Sequence, residues 1–241
     1  MSVDKAIQIS HAAGNAMPTL RIYGWCEPTL SLGRFQAAEE VNFDAAVAFR
    51  VPVVRRPTGG RGVLHFDEVT YSLTAGIGDG IPRGVATSYA WILRALVSTF
   101  QSIGIDASQS KRRQRSRHLS SSACYGSLTP ADLSVDVKKL SGSAQVWLED
   151  TVLQHGSLVM TKDVATEAKL LRLDPPQTEE LIASTVTISS ICSPEPSPQV
   201  VRSALIEGFT DTLGVRFEHS SLSDEEHSIA EDIASRFIVV P

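Results

Sequence analysis

The stretch RRPTGGRGVLH, residues 55–65, says more about fold and chemistry than any other part of this sequence. It overlaps two segments with β-type composition, 51–56 and 62–66, and a turn at 58–60 separates these segments. Because glycine has no side chain, Gly59 and Gly60 let the backbone approach a ligand closely and let its amides face an anion. A plain hairpin turn gives the same pattern, so the stretch alone leaves both interpretations open. Neither phosphate-binding fingerprint, GxGxxG opening a helix or GxxxxGK[ST], is present.

Hydrophobic periodicity around this stretch predicts an α+β fold. Strands are predicted at 18–34, 51–75, 133–140, 142–148 and 152–160. Helices are predicted at 38–49 and 86–103, where the second has apolar residues at 3.6-residue spacing, and again near the C-terminus. We therefore expect one domain over residues 1–241, with a small C-terminal helical element at about 195–241 packed on the main sheet.

Composition excludes several classes of protein. With 42% hydrophobic and 20% charged residues, the 241-residue chain is not disordered, and its net charge of −5 argues against a dedicated nucleic-acid binder. No apolar run reaches the ~18 residues that span a bilayer, and the first residues lack a signal peptide's apolar segment. The three cysteines form no CxxC pair, so we predict no metal site, no disulfide framework and a reducing cytoplasmic location.

A basic cluster lies in the serine-rich stretch 108–122, which we expect to be an exposed loop without strand structure. Five of the seven residues from Lys111 to Arg117 are basic. Such a loop is either a solvated segment or a surface that steers an acidic protein into place. It has no interleaved aromatic residues on which nucleic-acid bases could stack, so we expect no nucleic-acid partner.

Two further motifs hold candidate site residues. Lys139 lies in KKLSGSAQ, residues 138–145, where a turn of small residues would let its ammonium approach a carbonyl or carboxylate. A solvated strand end is the alternative. His155 lies in QHGSL, residues 154–158, and is either a site residue or a core histidine with its hydrogen bonds satisfied.

Cys124 is the candidate nucleophile. Free cysteines are usually buried and behave as small apolar residues. Cys124 differs because a polar, basic stretch precedes it, and exposure together with nearby cations favours the reactive thiolate. Cys26 and Cys192 lie in apolar or proline-bounded sequence, and we expect both to be inert.

Together these motifs resemble the catalytic domain of the biotin/lipoate protein ligase family, and most of all its octanoyltransferase branch. RRPTGGRGVLH resembles the signature RRxTGGxxVxH, and KLSGSAQ at 139–145 resembles K-[IL]-x-G-x-A-Q. LQHGS at 153–157 is similar to a third family segment. Cys124-Tyr125 lies where octanoyltransferases carry an Ala-Cys-aromatic nucleophile, although phenylalanine is more usual than tyrosine there. Several motifs in the family's order are more specific than any one of them.

The resemblance implies an α+β catalytic domain with a mixed sheet flanked by helices, and an acyl tunnel beside the TGG loop and the lysine. Octanoyltransferases of this family take an octanoyl group from acyl carrier protein onto a cysteine and pass it to a lysine, without ATP or another cofactor. The acceptor would be a lipoyl-accepting protein, such as the glycine-cleavage H protein or a dehydrogenase E2 domain. Cys124 and Lys139 would be catalytic. Substrate-binding residues would be Arg56, Thr58, Gly59, Gly60, His65, Gly142, Ala144, Gln145, His155 and Gly156.

Three other functions stay open at this stage. Lipoate-protein ligases of the same family activate lipoate with ATP and Mg²⁺, and related amidotransferases move octanoyl from the H protein to dehydrogenase subunits. An inactive relative could instead be a scaffold that binds carrier domains. Residues 1–6 resemble the family's M-A-x-D-E-A helix, before which relatives usually have a β-strand. Either this chain lacks that edge strand or its recorded start is too late, and the sequence leaves both open.

Overall fold

The computed structural model describes residues 1–110, 122–126 and 132–240 and confirms an α+β fold with helices around mixed sheets. The strands are β1 (Thr19–Tyr23), β2 (Thr29–Leu32), β3 (Val53–Arg55), β4 (Val63–His65), β5 (Glu68–Gly76), β6 (Ser108–Gln109), β7 (Leu133–Val135), β8 (Lys138–Leu148) and β9 (Thr151–Val159). The α-helices are α1 (Ser2–Ala12), α2 (Phe43–Phe49), α3 (Val85–Ser102), α4 (Val164–Leu170), α5 (Pro175–Ser184), α6 (Ile188–Ile191), α7 (Pro198–Leu213) and α8 (Asp224–Ile233). No helix in this part of the chain has the length and apolar character needed to cross a membrane.

The described strands form two sheets. The larger has the order β1-β5-β9-β8-β7-β6, with every neighbouring pair antiparallel. In the smaller sheet β2 is central, parallel to β3 and antiparallel to β4. The strands predicted within 18–34 therefore belong to different sheets, and the turn between β1 and β2 carries the chain from one sheet to the other.

Strand β5 separates two environments, because its side chains alternate between the faces of the larger sheet. Tyr71 and Leu73 pack with α3 and α7 in one hydrophobic core, where the Tyr71 and Phe209 rings lie 5.8 Å apart. Ser72 points the other way and donates a hydrogen bond to Asp4 of α1. A second core surrounds the smaller sheet and includes Tyr125.

The prediction of separate strands at 133–140 and 142–148 is wrong. β7 ends at Val135, Asp136 and Val137 form a tight turn with φ of 48° and 63°, and β8 then runs without interruption through Gly142. The small residues after Lys139 therefore lie inside a strand and do not form a turn. Period-2 patterning marks strands well but gives no signal for a two-residue turn that lacks glycine.

The stretch 108–122 also differs from its prediction where it is described. Ser108 and Gln109 form β6 at the edge of the sheet, and Ser122 is buried. Residues 111–121, which include the basic cluster, lie outside the described residues, so the loop and its docking role stay predictions.

The C-terminal part is helical where capping signals predict it. α7 packs against α3, and α8 packs against α1 on the opposite side of the larger sheet. Ser223 caps α8 in a reciprocal capping box with Glu226. Beyond α8 the tail does not stay helical to its end. Val239 instead donates a backbone hydrogen bond to Val53 of β3. A single domain over 1–241 stays a prediction.

Candidate active site

A cavity of about 530 Å³, counting its open mouth, lies between the two sheets and is within the size range of small-molecule sites. The smaller sheet contributes Ser31, Val63 and His65. The larger sheet contributes Thr70, Gly142, Ser143, Ala144, His155, Gly156 and Ser157. Met1, Tyr23, Trp25, Arg56, Gly59, Gly60, Cys124 and Tyr125 complete its lining.

Cys124 begins a short 3₁₀ turn that other segments hold in place. Its backbone N–H donates to Gly62 O at 2.9 Å, and Gly62 N donates to Ser122 O at 2.9 Å. A Cβ on Gly62 would lie 2.6 Å from the Leu171 side chain, so glycine is needed for this close approach. The thiol is partly exposed and borders the cavity, where a substrate can reach it.

Lys139 brings a buried ammonium group to that thiol. Its Nζ lies 3.4 Å from Cys124 Sγ and 3.3 Å from Cys124 O, and it pairs with Asp132 Oδ1 at 2.9 Å. Burial alone would lower the pKa of Lys139, but Cys124 and Asp132 together raise it above its ordinary value. The side chain is therefore a fixed positive charge beside the sulfur atom.

Gly142 makes room for this lysine. A Cβ at that position would lie 2.8 Å from Lys139 Cε and 3.1 Å from its Nζ. Gly156 on the neighbouring strand is equally tight, since a Cβ there would lie 2.7 Å from Gly142 O. Both glycines line the cavity, and a side chain at either position would collide with its neighbours.

Arg56 organises the TGG loop and is almost completely buried. Its Nη1 donates to Ser31 O and Ser31 Oγ, each at 3.1 Å, and its Nη2 donates to Gly59 O and Arg61 O. These bonds close the loop around the guanidinium and bring Gly59 and Gly60 to the cavity. The loop is not a hairpin turn, because β3 and β4 each pair with β2 and not with one another.

His155 is a buried cavity residue with a partner at each ring nitrogen. Its Nε2 lies 2.7 Å from Thr58 Oγ1, and its Nδ1 lies 3.8 Å from Asp4 Oδ2. Burial lowers the pKa of His155, although Asp4 opposes the shift, so the ring is neutral. Asp4 also accepts hydrogen bonds from Arg21 and Tyr23, and these contacts link α1 and β1 to the site.

His65 has a comparable arrangement in the smaller sheet. Its Nδ1 lies 2.8 Å from Glu68 Oε1, its Nε2 lies 2.7 Å from Ser31 Oγ, and Trp25 stacks on the ring with centroids 4.3 Å apart. Glu68 also accepts hydrogen bonds from Trp25, Thr70 and Ser157. Burial would raise the pKa of Glu68, but His65 and the hydroxyl donors lower it to about 2.

The motifs gave no indication of three buried carboxylates that position site residues, namely Asp4, Glu68 and Asp132. Of the three, Glu68 was the easiest to recognise from the sequence. It is a carboxylate at the start of an otherwise apolar and hydroxyl-rich strand, and a carboxylate must have partners when it is buried. Asp132 lies seven residues before Lys139, and Asp4 is far from His155 in the chain. No short motif connects either carboxylate with its partner.

The structure brings most of the predicted substrate-binding residues to the cavity, but not Thr58 or Gln145. Thr58 lies behind the lining and contacts His155. Gln145 hydrogen-bonds with Ser88 of α3 and with Gln154, away from the cavity lining. Their binding roles stay predictions.

Cys26 is exposed and Cys192 is partly buried, and the expectation that both are inert stays a prediction. Within residues 1–110, 122–126 and 132–240, no three His, Cys, Asp or Glu side chains are grouped to hold a metal ion. The expectations from the sequence that the protein needs no metal and no cofactor remain predictions.

Comparison with known proteins identifies the family. Residues 1–210 match the lipoyl protein ligase A/B catalytic domain, and the chain belongs to this family. The fold agrees with that of lipoate-protein ligase A bound with ATP (TM-score 0.81, 23% identity, 98% of this chain and 88% of the other). It also agrees with a bi-partite lipoate protein ligase from Thermoplasma acidophilum (TM-score 0.79, 20% identity, 98% and 88%).

Sequence relatives give a finer view. The chain is 39% identical to octanoyltransferase LipM of Kyrpidia tusciae, with 99% of this chain and 91% of the relative aligned. It is 34% identical to octanoyltransferase LipM of Brevibacillus brevis (97% and 89%) and 32% identical to that of Bacillus subtilis (96% and 89%). These relatives confirm the prediction that the chain is an acyltransferase enzyme.

Proposed function

We propose that this enzyme transfers octanoyl groups in protein lipoylation, from acyl carrier protein through a thioester on Cys124 to a lysine of a lipoyl-accepting protein. The octanoyltransferase relatives support octanoyl transfer, and the site's geometry supports the cysteine route. The observation that carries the proposal is the buried Lys139 ammonium, 3.4 Å from a cavity-facing thiol.

In the first step, the Cys124 thiolate attacks the octanoyl thioester of the carrier. Exchange between two thioesters is close to thermoneutral, so the step needs neither ATP nor Mg²⁺. Lys139 stabilises the thiolate before attack and polarises the acyl carbonyl as negative charge develops on its oxygen. Once Cys124 is acylated, its thiolate no longer raises the pKa of Lys139, and the lysine then serves as general acid and base when the acceptor lysine attacks.

In the second step, the acceptor lysine attacks the octanoyl-Cys124 thioester, and amide formation is downhill. The cavity holds the acyl chain in both steps. Burial of seven alkyl carbons at ~0.8 kcal/mol each contributes about 5–6 kcal/mol. This is enough to hold the acyl chain and to select its length without a charged anchor.

The partners follow from this chemistry. The donor would be octanoyl-acyl carrier protein, and the acceptor the glycine-cleavage H protein or a dehydrogenase E2 domain. Neither nucleic acid nor a membrane takes part. A thiol nucleophile must stay reduced, which suits a cytoplasmic location.

The test is intact-protein mass spectrometry after incubation with octanoyl-acyl carrier protein in the absence of ATP. We expect an octanoyl adduct on the wild type that hydroxylamine removes, and none on Cys124→Ser. Cys26→Ser is the matched control, because it removes an exposed thiol and should keep the adduct. Lys139→Met should form the adduct at least 10-fold more slowly.

Other outcomes would point to the other functions. Absence of an adduct, with an acceptor lysine modified only when lipoate and ATP are supplied, would identify a ligase. An adduct formed from octanoyl-H protein and not from octanoyl-acyl carrier protein would identify an amidotransferase. Binding of carrier domains without any acyl transfer would identify a scaffold.

A further inference from the structure

A tight turn at residues 33–36, called here the 33–36 turn, follows β2 and presents two exposed side chains. Gln36 N donates to Gly33 O at 3.0 Å, which closes the turn with Arg34 and Phe35 at its corners. Phe35 is 86% exposed, and the exposed Arg34 guanidinium lies over its ring, 5.3 Å from the centroid. The 33–36 turn therefore presents a cation and an aromatic ring side by side to solvent.

Arg55, the first arginine of RRPTGG, holds the 33–36 turn in this shape. Its Nη1 donates to Gly33 O at 3.0 Å and also to Gln36 O, at the two ends of the turn. Because the backbone is fixed before any partner arrives, little conformational entropy is lost when the exposed side chains bind. The turn is thus organised as a recognition surface.

The 33–36 turn is attached to the TGG loop at the mouth of the cavity. Arg34 N donates to Thr58 O at 2.8 Å. A Cβ on Gly33 would lie 1.9 Å from Gly60 O, so glycine is needed for this close approach. Gly60 is exposed and also lines the cavity, which places it where the cavity opens to solvent.

The same turn is attached to the segment that leads to Cys124. Gln36 is buried, and its Nε2 donates to Ser122 O at 3.1 Å, two residues before Cys124. Cys124 lines the cavity to which the TGG loop also contributes. A protein that binds the 33–36 turn is therefore held beside the opening through which a substrate reaches the thiol.

The surface around the turn is positively charged, although the chain has a net charge of −5. Arg61 is exposed in the TGG loop. Burial and the charge of Arg34 lower the pKa of Lys5 on α1, so these two cations lie within electrostatic reach of each other. Among the described residues, none of the ion pairs includes Lys5, Arg34 or Arg61. Neighbouring cations without acidic partners attract an anionic surface from outside.

We propose that the 33–36 turn docks the acidic acyl carrier protein that donates the octanoyl group, with Phe35 as the apolar anchor and Arg34 as the charged contact. This proposal rests on the proposed function. The carrier is acidic, and a phosphate joins it to the arm that bears the thioester, so both complement a cationic surface at the mouth. Arginine and aromatic side chains are also enriched among the residues that contribute most to binding at protein interfaces.

The experiment compares two octanoyl donors. Acylation of Cys124 is followed by intact mass with octanoyl-acyl carrier protein and with octanoyl-pantetheine, which lacks the carrier and its phosphate, each below saturation. With the carrier at low salt, Arg34→Glu should react at least about 10-fold more slowly than the wild type. At about 1 M salt, where the Debye length is ~3 Å, most of this difference should disappear. With octanoyl-pantetheine the two rates should be equal, which also shows that the variant is folded.

Phe35→Ala tests the apolar contact. It should slow acylation by the carrier about fivefold, at low and high salt alike, and leave the reaction with octanoyl-pantetheine unchanged. Arg94→Glu is the matched control for charge, because Arg94 is exposed on α3. That helix packs against the face of β5 opposite Thr70, which lines the cavity. The control should react like the wild type with both donors.

Binding tests the docking surface apart from the chemistry. Labelled acyl carrier protein should bind to Cys124→Ser, as measured by fluorescence anisotropy, and at least about 10-fold more weakly when Arg34→Glu is added. Equal binding by the two proteins would overturn the proposal, whether or not the enzyme is acylated. If the carrier binds as expected but the wild type forms no octanoyl-Cys124 from either donor, the proposed function is wrong while the docking surface stands.

Two kinetic results would also overturn the docking surface while the cysteine route stands. In the first, Arg34→Glu and Phe35→Ala are acylated by the carrier at the wild-type rate. If they then transfer octanoyl to H protein more slowly, the turn binds the acceptor and not the donor. In the second, both variants lose the same factor with the carrier and with octanoyl-pantetheine, which would show that the turn only supports the site.

Discussion

The Lys139 ammonium reaches Cys124 because residue 142 has no side chain. A methyl group at Gly142 would lie 2.8 Å from Lys139 Cε, and the lysine is too tightly enclosed to move aside without losing its contacts with Asp132 and the thiol. The reach of the cation therefore depends on a strand residue three positions away.

We accordingly expect Gly142→Ala to slow acylation of Cys124 by at least 10-fold, because the displaced ammonium stabilises the thiolate and the developing oxyanion less well. The rate of adduct formation by intact mass is the measurement. Gly78→Ala is the control, since no atom lies within 4 Å of a Cβ there. Acylation at the wild-type rate in Gly142→Ala would show that the contact is not needed.

At this scale the motifs predicted candidate site residues but not the carboxylates that hold them. Cys124, Lys139, His65 and His155 each stand in a short pattern whose chemistry can be read from residue type and neighbours. Their carboxylate partners cannot, because Asp4 is on α1 and His155 is on β9, and only the folded chain brings their atoms to 3.8 Å.

Among the elements, α8 is held by its N-terminal cap. Ser223 Oγ accepts from Glu226 N at 3.2 Å, and the Glu226 carboxylate accepts from Ser223 N at 2.8 Å. These bonds satisfy backbone groups that would otherwise lack partners at the start of the helix. α8 also lies beyond residue 210, where the match to the family ends.

Replacement of this cap should measurably weaken the fold. We expect Ser223→Ala to lower the free energy of unfolding by about 1 kcal/mol, as measured by urea denaturation. Ser228→Ala, an exposed position within the same helix, should change stability by only a few tenths of a kcal/mol in the stabilising direction. Equal effects of the two substitutions would contradict a specific role for the cap.

The elements themselves were predicted well where a pattern is long and poorly where a turn is short. The 3.6-residue spacing in 86–103 predicted α3 to within one residue at each end. The division between β7 and β8 was misplaced, because Asp136 and Val137 adopt positive φ without a glycine to indicate it. Which strands pair with one another could not be predicted either, since β1 and β2 are adjacent in the sequence but belong to different sheets.

Over the whole molecule, burial of charged groups makes the fold sensitive to acid. The pKa of Glu68 falls from an ordinary 4.5 to about 2 because the charge of His65 and the hydrogen-bond donors around the carboxylate outweigh burial, and the pKa of Asp4 is also lowered. Burial lowers the pKa of His155 from 6.5. In each case the unfolded chain binds protons more readily than the folded one, so stability is present at higher pH and is lost as the pH falls.

We therefore expect the free energy of unfolding to decrease below about pH 6.5 and to fall more steeply between about pH 4.5 and 2, where Glu68 alone accounts for about 3 kcal/mol. Urea denaturation across this pH range is the measurement. Glu68→Gln should be less stable near neutral pH but should lose less on acidification. A parallel decline in the two proteins would show that Glu68 is not the responsible group.

The 3₁₀ turn that carries Cys124 depends on parts of the chain that are far apart in sequence. Gly62 binds its start, Leu171 O accepts from Ser122, Ser184 donates to Tyr125 O, and Lys139 reaches Cys124 from β8. A partly folded chain, for example one still leaving the ribosome, lacks these contacts around Cys124. On the proposed cysteine route, acyl groups are therefore loaded only onto molecules in which these segments have already come together.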